Sequence, residues 1–186
     1  MKTTIVLLFL LVLPCTIIYA QEDETKSVFD EETEIKHHQI GFMLGHAHIS
    51  QGHSNGNKKW LALPMISLNY NYWFNERWAF GLHTDMVLED FEVEQWNGSG
   101  EDKILERKTP IAPAIMMLYK PGKHFTYMLG IGEEFTCEEN LFLIRAEVEY
   151  SLELPNEFEF GTSVGYDIRV NEYDSWALQI GVSKLF

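Results

Sequence analysis

The most constraining feature of this sequence is a strict two-residue alternation of apolar and polar side chains. It is sharpest in LFLIRAEVEYSLEL, where Phe142 and Ile144 alternate with Arg145 and Glu147. A period of two is typical of β-strands whose two faces meet different surroundings. The pattern recurs in eight runs from residue 37 to the end of the chain, and long helical patterning is absent. The sequence therefore predicts an all-β protein.

The connections between the eight runs alternate in length. Three of them, NER, KPGKH and PNE, have the size of hairpin turns. Between the others lie CEEN, NEYD and two longer loops, SQGHSNGNKK at 50–59 and QWNGSGEDKILER at 95–107, and the third run is expected to extend over 78–94. Short turns at one end and larger loops at the other predict an antiparallel up-and-down meander that closes into a barrel.

Side-chain volume indicates which face of this barrel points inward. An eight-stranded barrel has an interior just wide enough to be filled by side chains. The apolar set of Phe, Tyr, Trp, Leu, Ile, Val and Met is too bulky for that space, whereas the opposite set is rich in glycine and polar residues. Aromatic residues also fall into two groups by height, as the headgroup regions of a bilayer favour. We therefore predict a transmembrane barrel with its apolar face towards lipid.

The N-terminal segment is predicted to lie outside this barrel. Residues 1–20 combine Lys2, an apolar run and the small residue Ala20, which is typical of a cleaved signal peptide. Residues 21–36 are strongly acidic and predict a disordered leader, and residues 37–186 form the barrel. The formal net charge of −14 excludes nucleic-acid binding through phosphates. Only Cys137 remains after cleavage, so no internal disulfide is possible.

The signal peptide, the eight amphipathic strands, the alternating turns and loops and the aromatic terminal residue Phe186 resemble the small outer-membrane barrels of the OmpA transmembrane-domain and OmpX type. The resemblance covers residues 37–186. It implies a Gram-negative outer membrane, periplasmic termini and loops outside the cell. It also implies lipid contact and recognition of the last strand, through Phe186, by the barrel-insertion machinery, but it names no extracellular partner.

The inward-facing set contains charges of both signs, which need partners if they are buried. We expect them to form a lumen network that plugs the barrel, and a narrow pore is the alternative. If the network holds the barrel shut, removing one of its arginines should destabilise the fold. The predicted network consists of His83, Asp85, Arg145, Glu147, Glu149, Glu159, Asp167 and Arg169.

Three histidines near the first long loop are weak candidates for a metal site. His46 and His48 lie two residues apart on one strand face and His53 follows, but no third ligand is evident from spacing. With Ser50, the first two could also supply the base and nucleophile of a barrel enzyme that modifies lipid A. The prediction is instead a non-catalytic barrel without cofactor, with a structural or surface-interaction role. The remaining alternative is a soluble, lipocalin-like ligand-binding barrel.

Overall fold

The computed structural model describes residues 36–54, 57–95, 103–170 and 172–186. The predicted signal peptide and nearly all of the acidic leader lie outside these residues. Within the described residues, no helix is long and apolar enough to cross a membrane. The described chain forms ten β-strands and one short 3-10 turn at Pro155–Glu157. The strands are β1 His38–Ser54, β2 Asn57–Trp73, β3 Trp78–Val87, β4 Phe91–Gln95, β5 Lys103–Arg107, β6 Ile111–Tyr119, β7 Phe125–Glu134, β8 Leu141–Glu153, β9 Phe158–Arg169 and β10 Asp174–Leu185.

Eight of these strands close into an antiparallel barrel. Their order is β10-β9-β8-β7-β6-β3-β2-β1, and β1 and β10 then pair with each other. The closing register runs without interruption from Gln39 opposite Leu185 to Ile49 opposite Ser175. Closure leaves none of these eight strands with a free edge. The predicted eight-stranded up-and-down barrel is confirmed.

The two faces of the barrel wall are sorted as the sequence predicts. On the outer face, Ile115 is 65% exposed and Leu129 is 62% exposed. On the inner face, Ser67 and Ser163 are both 1% exposed. A continuous outer surface of large apolar side chains is a lipid-facing surface. A soluble barrel of the lipocalin type would carry this set inside, so that alternative is wrong.

The two longer loops differ from the prediction. SQGHSNGNKK is largely strand, because β1 extends to Ser54 and β2 begins at Asn57. The third run does not continue to residue 94, because β3 ends at Val87 and a turn follows. There Asp90 accepts a hydrogen bond from the Thr109 backbone N–H at 2.9 Å.

Strands β4 and β5 then form a separate hairpin, which we call the β4–β5 hairpin. It pairs within itself from Phe91 opposite Arg107 to Gln95 opposite Lys103. Its first strand also pairs with the extended end of β1, where Gly52 lies opposite Val93. Part of the segment predicted to be a loop is therefore a strand, β5, which pairs with β4.

The sequence predicts an interior rich in glycine and polar residues. The structure shows that the interior also contains two apolar clusters. One apolar cluster lies along β6 and its neighbours and includes Ala114, Met116 and Leu118. A second cluster joins the β4–β5 hairpin, through Val93 and Leu105, to the ends of β1 and β2.

Candidate functional site: a closed lumen

The lumen has two different ends. The turn end carries the short connections at 74–77, 120–124 and 154–157, and it also carries the start of β1 and the end of β10. The hairpin end carries the β4–β5 hairpin and the β7–β8 and β9–β10 connections. Polar side chains occupy the lumen in three groups between these ends.

The middle group centres on Arg145 of β8, which is 2% exposed. Its Nε and Nη2 donate to Asp167 of β9 at 2.7 and 2.8 Å, in a bidentate arrangement. Nη2 also lies 2.9 Å from Asp85 of β3, which accepts a 2.5 Å hydrogen bond from the Ser67 hydroxyl. Register explains the bidentate pair, because Arg145 and Asp167 are directly opposite on neighbouring strands. One guanidinium therefore connects two carboxylates across the lumen.

The turn-end group is a chain of hydrogen bonds from Lys120 to the middle of the barrel. Lys120 Nζ donates to Glu159 at 2.8 Å, and Gln39 Nε2 donates to the other oxygen of the same carboxylate at 2.7 Å. Asn71 Nδ2 donates to Gln39 Oε1 at 3.0 Å. His83 Nε2 lies 2.8 Å from Asn71 Oδ1, which can only accept, so His83 carries its proton on Nε2.

The hairpin-end group surrounds Glu134, a carboxylate that is 1% exposed at the end of β7. Arg107 of the β4–β5 hairpin donates to it through Nε at 2.8 Å and forms an ion pair with it through Nη2. Arg169 Nε donates to the other oxygen at 2.5 Å, and the Tyr173 hydroxyl donates at 2.7 Å. Arg107 also donates to the Glu139 carbonyl at 2.6 Å. Through Glu134 the hairpin is thus joined to β7 and β9, and through Arg107 it is joined to the β7–β8 connection.

Tyr173 lies in the connection between β9 and β10, outside the barrel strands. Burial raises the pKa of its phenol well above the ordinary value, so the hydroxyl keeps its proton at neutral pH. Its ring packs edge-on against Phe91 of the β4–β5 hairpin, with centroids 5.9 Å apart. It also lies 4.4 Å from the Arg169 guanidinium. Tyr173 therefore holds the hairpin through both its ring and its hydroxyl.

The eight predicted network residues all lie on the inner face, but they belong to separate groups and do not form one network. Arg145, Asp85 and Asp167 meet in the middle group, and His83 Nδ1 approaches Glu147 at 3.7 Å. Arg169 and Glu159 belong to the hairpin-end and turn-end groups. Glu149 has no ion pair or hydrogen bond within the described residues.

Four important members of the groups were not predicted. Glu134 falls on the inward-facing positions of β7, and Lys120 continues those of β6. The alternation of the sequence could therefore have placed both side chains in the lumen. Arg107 and Tyr173 lie in segments read as loops, where alternation gives no direction.

The histidine candidates lie apart from these groups. His46 is exposed on the outer face, and His48 stacks on Trp176 with ring centroids 3.8 Å apart. The backbone of His53 pairs with Glu92 of the β4–β5 hairpin. Ser50 Oγ accepts a hydrogen bond from the Asp174 backbone N–H at 3.2 Å. In the described ranges, no group of three or more His, Cys, Asp or Glu side chains has the arrangement of a metal site.

Comparisons with known proteins place this architecture among solved structures. No protein-family model and no curated protein sequence matches the chain. The structure of Ail, the attachment invasion locus protein of Yersinia pestis, is similar, with a TM-score of 0.50 and 13% identity over 82% of this chain and 100% of that chain. Neisserial surface protein A gives a TM-score of 0.48 and 11% identity over 80% of this chain and 97% of that chain.

The likeness to Ail is low in sequence and concerns the fold. It agrees with the closed eight-stranded wall described above. The chain therefore has the fold of the small eight-stranded outer-membrane β-barrel proteins.

Proposed function

We propose that this protein is a non-conducting, non-catalytic outer-membrane barrel that presents the β4–β5 hairpin and neighbouring connections at the cell surface. The observation that carries the proposal is the attachment of the hairpin to the barrel wall through Arg107 and Glu134. A hairpin fixed by a buried ion pair forms a rigid surface over the hairpin end of the lumen. In this arrangement the barrel is a membrane-embedded support, and the exposed hairpin face interacts with an external partner.

The lumen supports the non-conducting part of the proposal. Its cavities are small, about 20 Å³ near Arg145 and about 20 and 10 Å³ towards the turn end. A cavity of roughly 10–15 Å³ holds one water, so these spaces do not form an open channel. The three polar groups fill the cross-section between them.

Two features support a surface-interaction role over an enzymatic one. His48 is stacked on Trp176, and the Ser50 hydroxyl faces a backbone N–H, so neither is arranged as a base beside a nucleophile. On the hairpin side, Trp60 is 60% exposed and Ile104 is 47% exposed. Tryptophan side chains such as that of Trp60 are frequent anchors at protein interfaces.

The native cysteine offers a test of membrane orientation. Cys137 is free and exposed in the β7–β8 connection at the hairpin end. In intact Gram-negative cells, a membrane-impermeant maleimide should label Cys137 in the full chain. The matched control is Cys137→Ser combined with Gly122→Cys, because a side chain at Gly122 meets open space at the turn end. The control should react only after the outer membrane is permeabilised, and the reverse pattern would contradict the proposed orientation.

The functional assignment is tested by conductance and by lipid analysis. Purified protein in a planar bilayer should show no channels above the empty bilayer. The mass spectrum of lipid A from expressing cells should equal that of cells carrying Arg145→Met or an empty vector. Stable channels would favour the narrow pore, and a change in lipid A acylation would favour the enzyme.

Phe186 supports the proposed partner in assembly. Its backbone N–H donates to the His38 carbonyl at 2.8 Å, and its ring stacks against the His38 ring at 6.0 Å. The last residue therefore takes part in closing the barrel at the turn end. We include recognition of this terminal aromatic by the barrel-insertion machinery as part of the proposal.

A further inference from the structure

The turn-end half of the lumen contains a carboxylate, Glu149, that forms no ion pair with another described residue. Glu134 faces Arg107 and Arg169, Glu159 faces Lys120, and the two aspartates of the middle group face Arg145. Glu147 has His83 Nδ1 at 3.7 Å. Among the described residues Glu149 alone of the inward carboxylates has neither an ion pair within 4.0 Å nor a hydrogen bond. A buried charge without a partner is costly, so this position requires an explanation.

Glu149 faces a cavity of about 20 Å³ on the inner side of β1, β2, β9 and β10. The polar residues that line it with Glu149 are Gln39, Asn69, Asn71 and Ser183. Asn69 is 6% exposed, and its Oδ1 has no hydrogen-bond partner. An unpartnered amide oxygen and an unpartnered carboxylate therefore line the same small space.

Most of the remaining hydrogen-bonding capacity around this cavity is already used. Gln39 Nε2 donates to Glu159 and to Ser183 Oγ, and Gln39 Oε1 accepts from Asn71 and Trp73. Asn71 Oδ1 accepts from His83. The acceptors left to meet an occupant are Asn69 Oδ1, the Glu149 carboxylate and a lone pair of Ser183 Oγ.

We propose that this cavity binds one monovalent hard cation, of the class of Na⁺, held by Glu149, Asn69 and Ser183. Oxygen donors of the carboxylate, amide and hydroxyl types suit hard cations. A water molecule would satisfy Asn69 but would leave the carboxylate charge uncompensated. One positive charge balances one carboxylate, whereas a divalent ion would leave a buried excess charge.

Glycines create the space for the ion. A Cβ placed on Gly41 would lie 3.4 Å from the Ser183 Cβ and 3.7 Å from the Asn69 Cβ, within ordinary contact distance. On the opposite side, a Cβ on Gly161 would lie 3.2 Å from the Glu149 carboxyl carbon. A neighbouring cavity of about 10 Å³, which Glu149 also lines, continues towards Glu159 at the turn end.

The test compares the thermal stability of the full chain in Na⁺ and in choline at equal ionic strength. The protein is refolded in dodecylphosphocholine at pH 8.5, so that protons compete little for the carboxylate, and melting is followed by tryptophan fluorescence. A ligand that binds only the folded state raises stability with each tenfold increase above its dissociation constant. For a chain of this size the midpoint should rise by roughly 3–6 °C for each such increase in NaCl, and choline chloride should have no such effect.

Three variants separate a site from a general salt effect. Glu149→Gln should melt at least as high as the parent in choline and should lose the sodium response, because its amide carries no charge. Gly41→Ala should fold and also lose the response, because its methyl group fills the cavity. Glu153→Gln, an exposed position on the same strand, is the matched control and should keep the full response.

A direct measurement completes the test. The ²³Na NMR line of dilute NaCl should broaden on addition of the parent and of Glu153→Gln, and should stay narrow with Glu149→Gln and Gly41→Ala. Equal midpoints of the parent in Na⁺ and choline would overturn the proposal. A sodium response that persists in both Glu149→Gln and Gly41→Ala would also overturn it.

Discussion

Removing the guanidinium of Arg145 tests whether the middle group of charges stabilises the barrel. Arg145→Met keeps an unbranched apolar side chain of similar reach and deletes all contacts to Asp85 and Asp167. These two carboxylates are 15% and 11% exposed, so water replaces the lost partner only in part. The variant therefore leaves two acids facing each other inside the lumen.

The contacts that Asp85 and Asp167 keep in the variant determine how much stability is lost. Breaking a buried ion pair by removing one partner costs about 3–5 kcal/mol. Asp167 keeps Arg169 at 3.6 Å and Asp85 keeps the Ser67 hydroxyl, so we expect a value near the lower limit. At about 2–4 °C per kcal/mol for a chain of this size, the midpoint should fall by roughly 6–12 °C.

The assay is the thermal midpoint of unfolding in a zwitterionic detergent, followed by tryptophan fluorescence and by heat-modifiable gel migration. Arg77→Met, an exposed arginine in a short turn, is the matched control and should melt like the parent. The variant with Arg145→Met, Asp85→Asn and Asp167→Asn should recover most of the loss, since no charge is then unpaired. If Arg145→Met melts within about 2 °C of the parent, the ion pairs of Arg145 do not stabilise the barrel.

Three further predictions concern the hairpin, the wall and assembly. Arg107→Met should release the β4–β5 hairpin and raise its rate of cleavage by added protease about tenfold or more, because charged hydrogen bonds contribute roughly 1.5–3 kcal/mol each. A cleavage rate equal to that of the parent would contradict the attachment of the hairpin through Arg107. Gly132→Ala should lower barrel stability, since its Cβ would lie 2.2 Å from the Pro113 carbonyl oxygen, whereas Gly122→Ala should melt unchanged. Phe186→Ala should lower the fraction inserted in the outer membrane of cells while refolding in detergent stays near normal; equal insertion would refute an assembly signal.

The strands and their orientation were predictable because one physical requirement acts along the whole wall. Each wall residue faces either lipid or the narrow interior, so hydrophobicity repeats with a period of two and the face follows from parity. Parity does not give height along the barrel axis. Arg145 meets Asp167 because they are directly opposite on β8 and β9, whereas Glu149 lies opposite Ser163. Sliding one strand by two residues against its neighbour keeps both faces intact but changes every charge partner. The ion pairs could therefore be assigned only once the strand register was known.

The β4–β5 hairpin was missed although the inward parity of β3 and β4 carried a signal. Along β3 the inward positions are Gly81, His83 and Asp85, which suit a polar lumen. Beyond them the same parity gives the buried Val87 and, past the exposed Glu89 of the turn, the buried Phe91 and Val93. Large apolar residues facing inward need an apolar partner. That partner is the end of the barrel itself, and the hairpin reaches it by turning at Asp90. A switch from polar to bulky apolar residues on the inward face therefore marks where a barrel wall ends and a cover over its lumen begins.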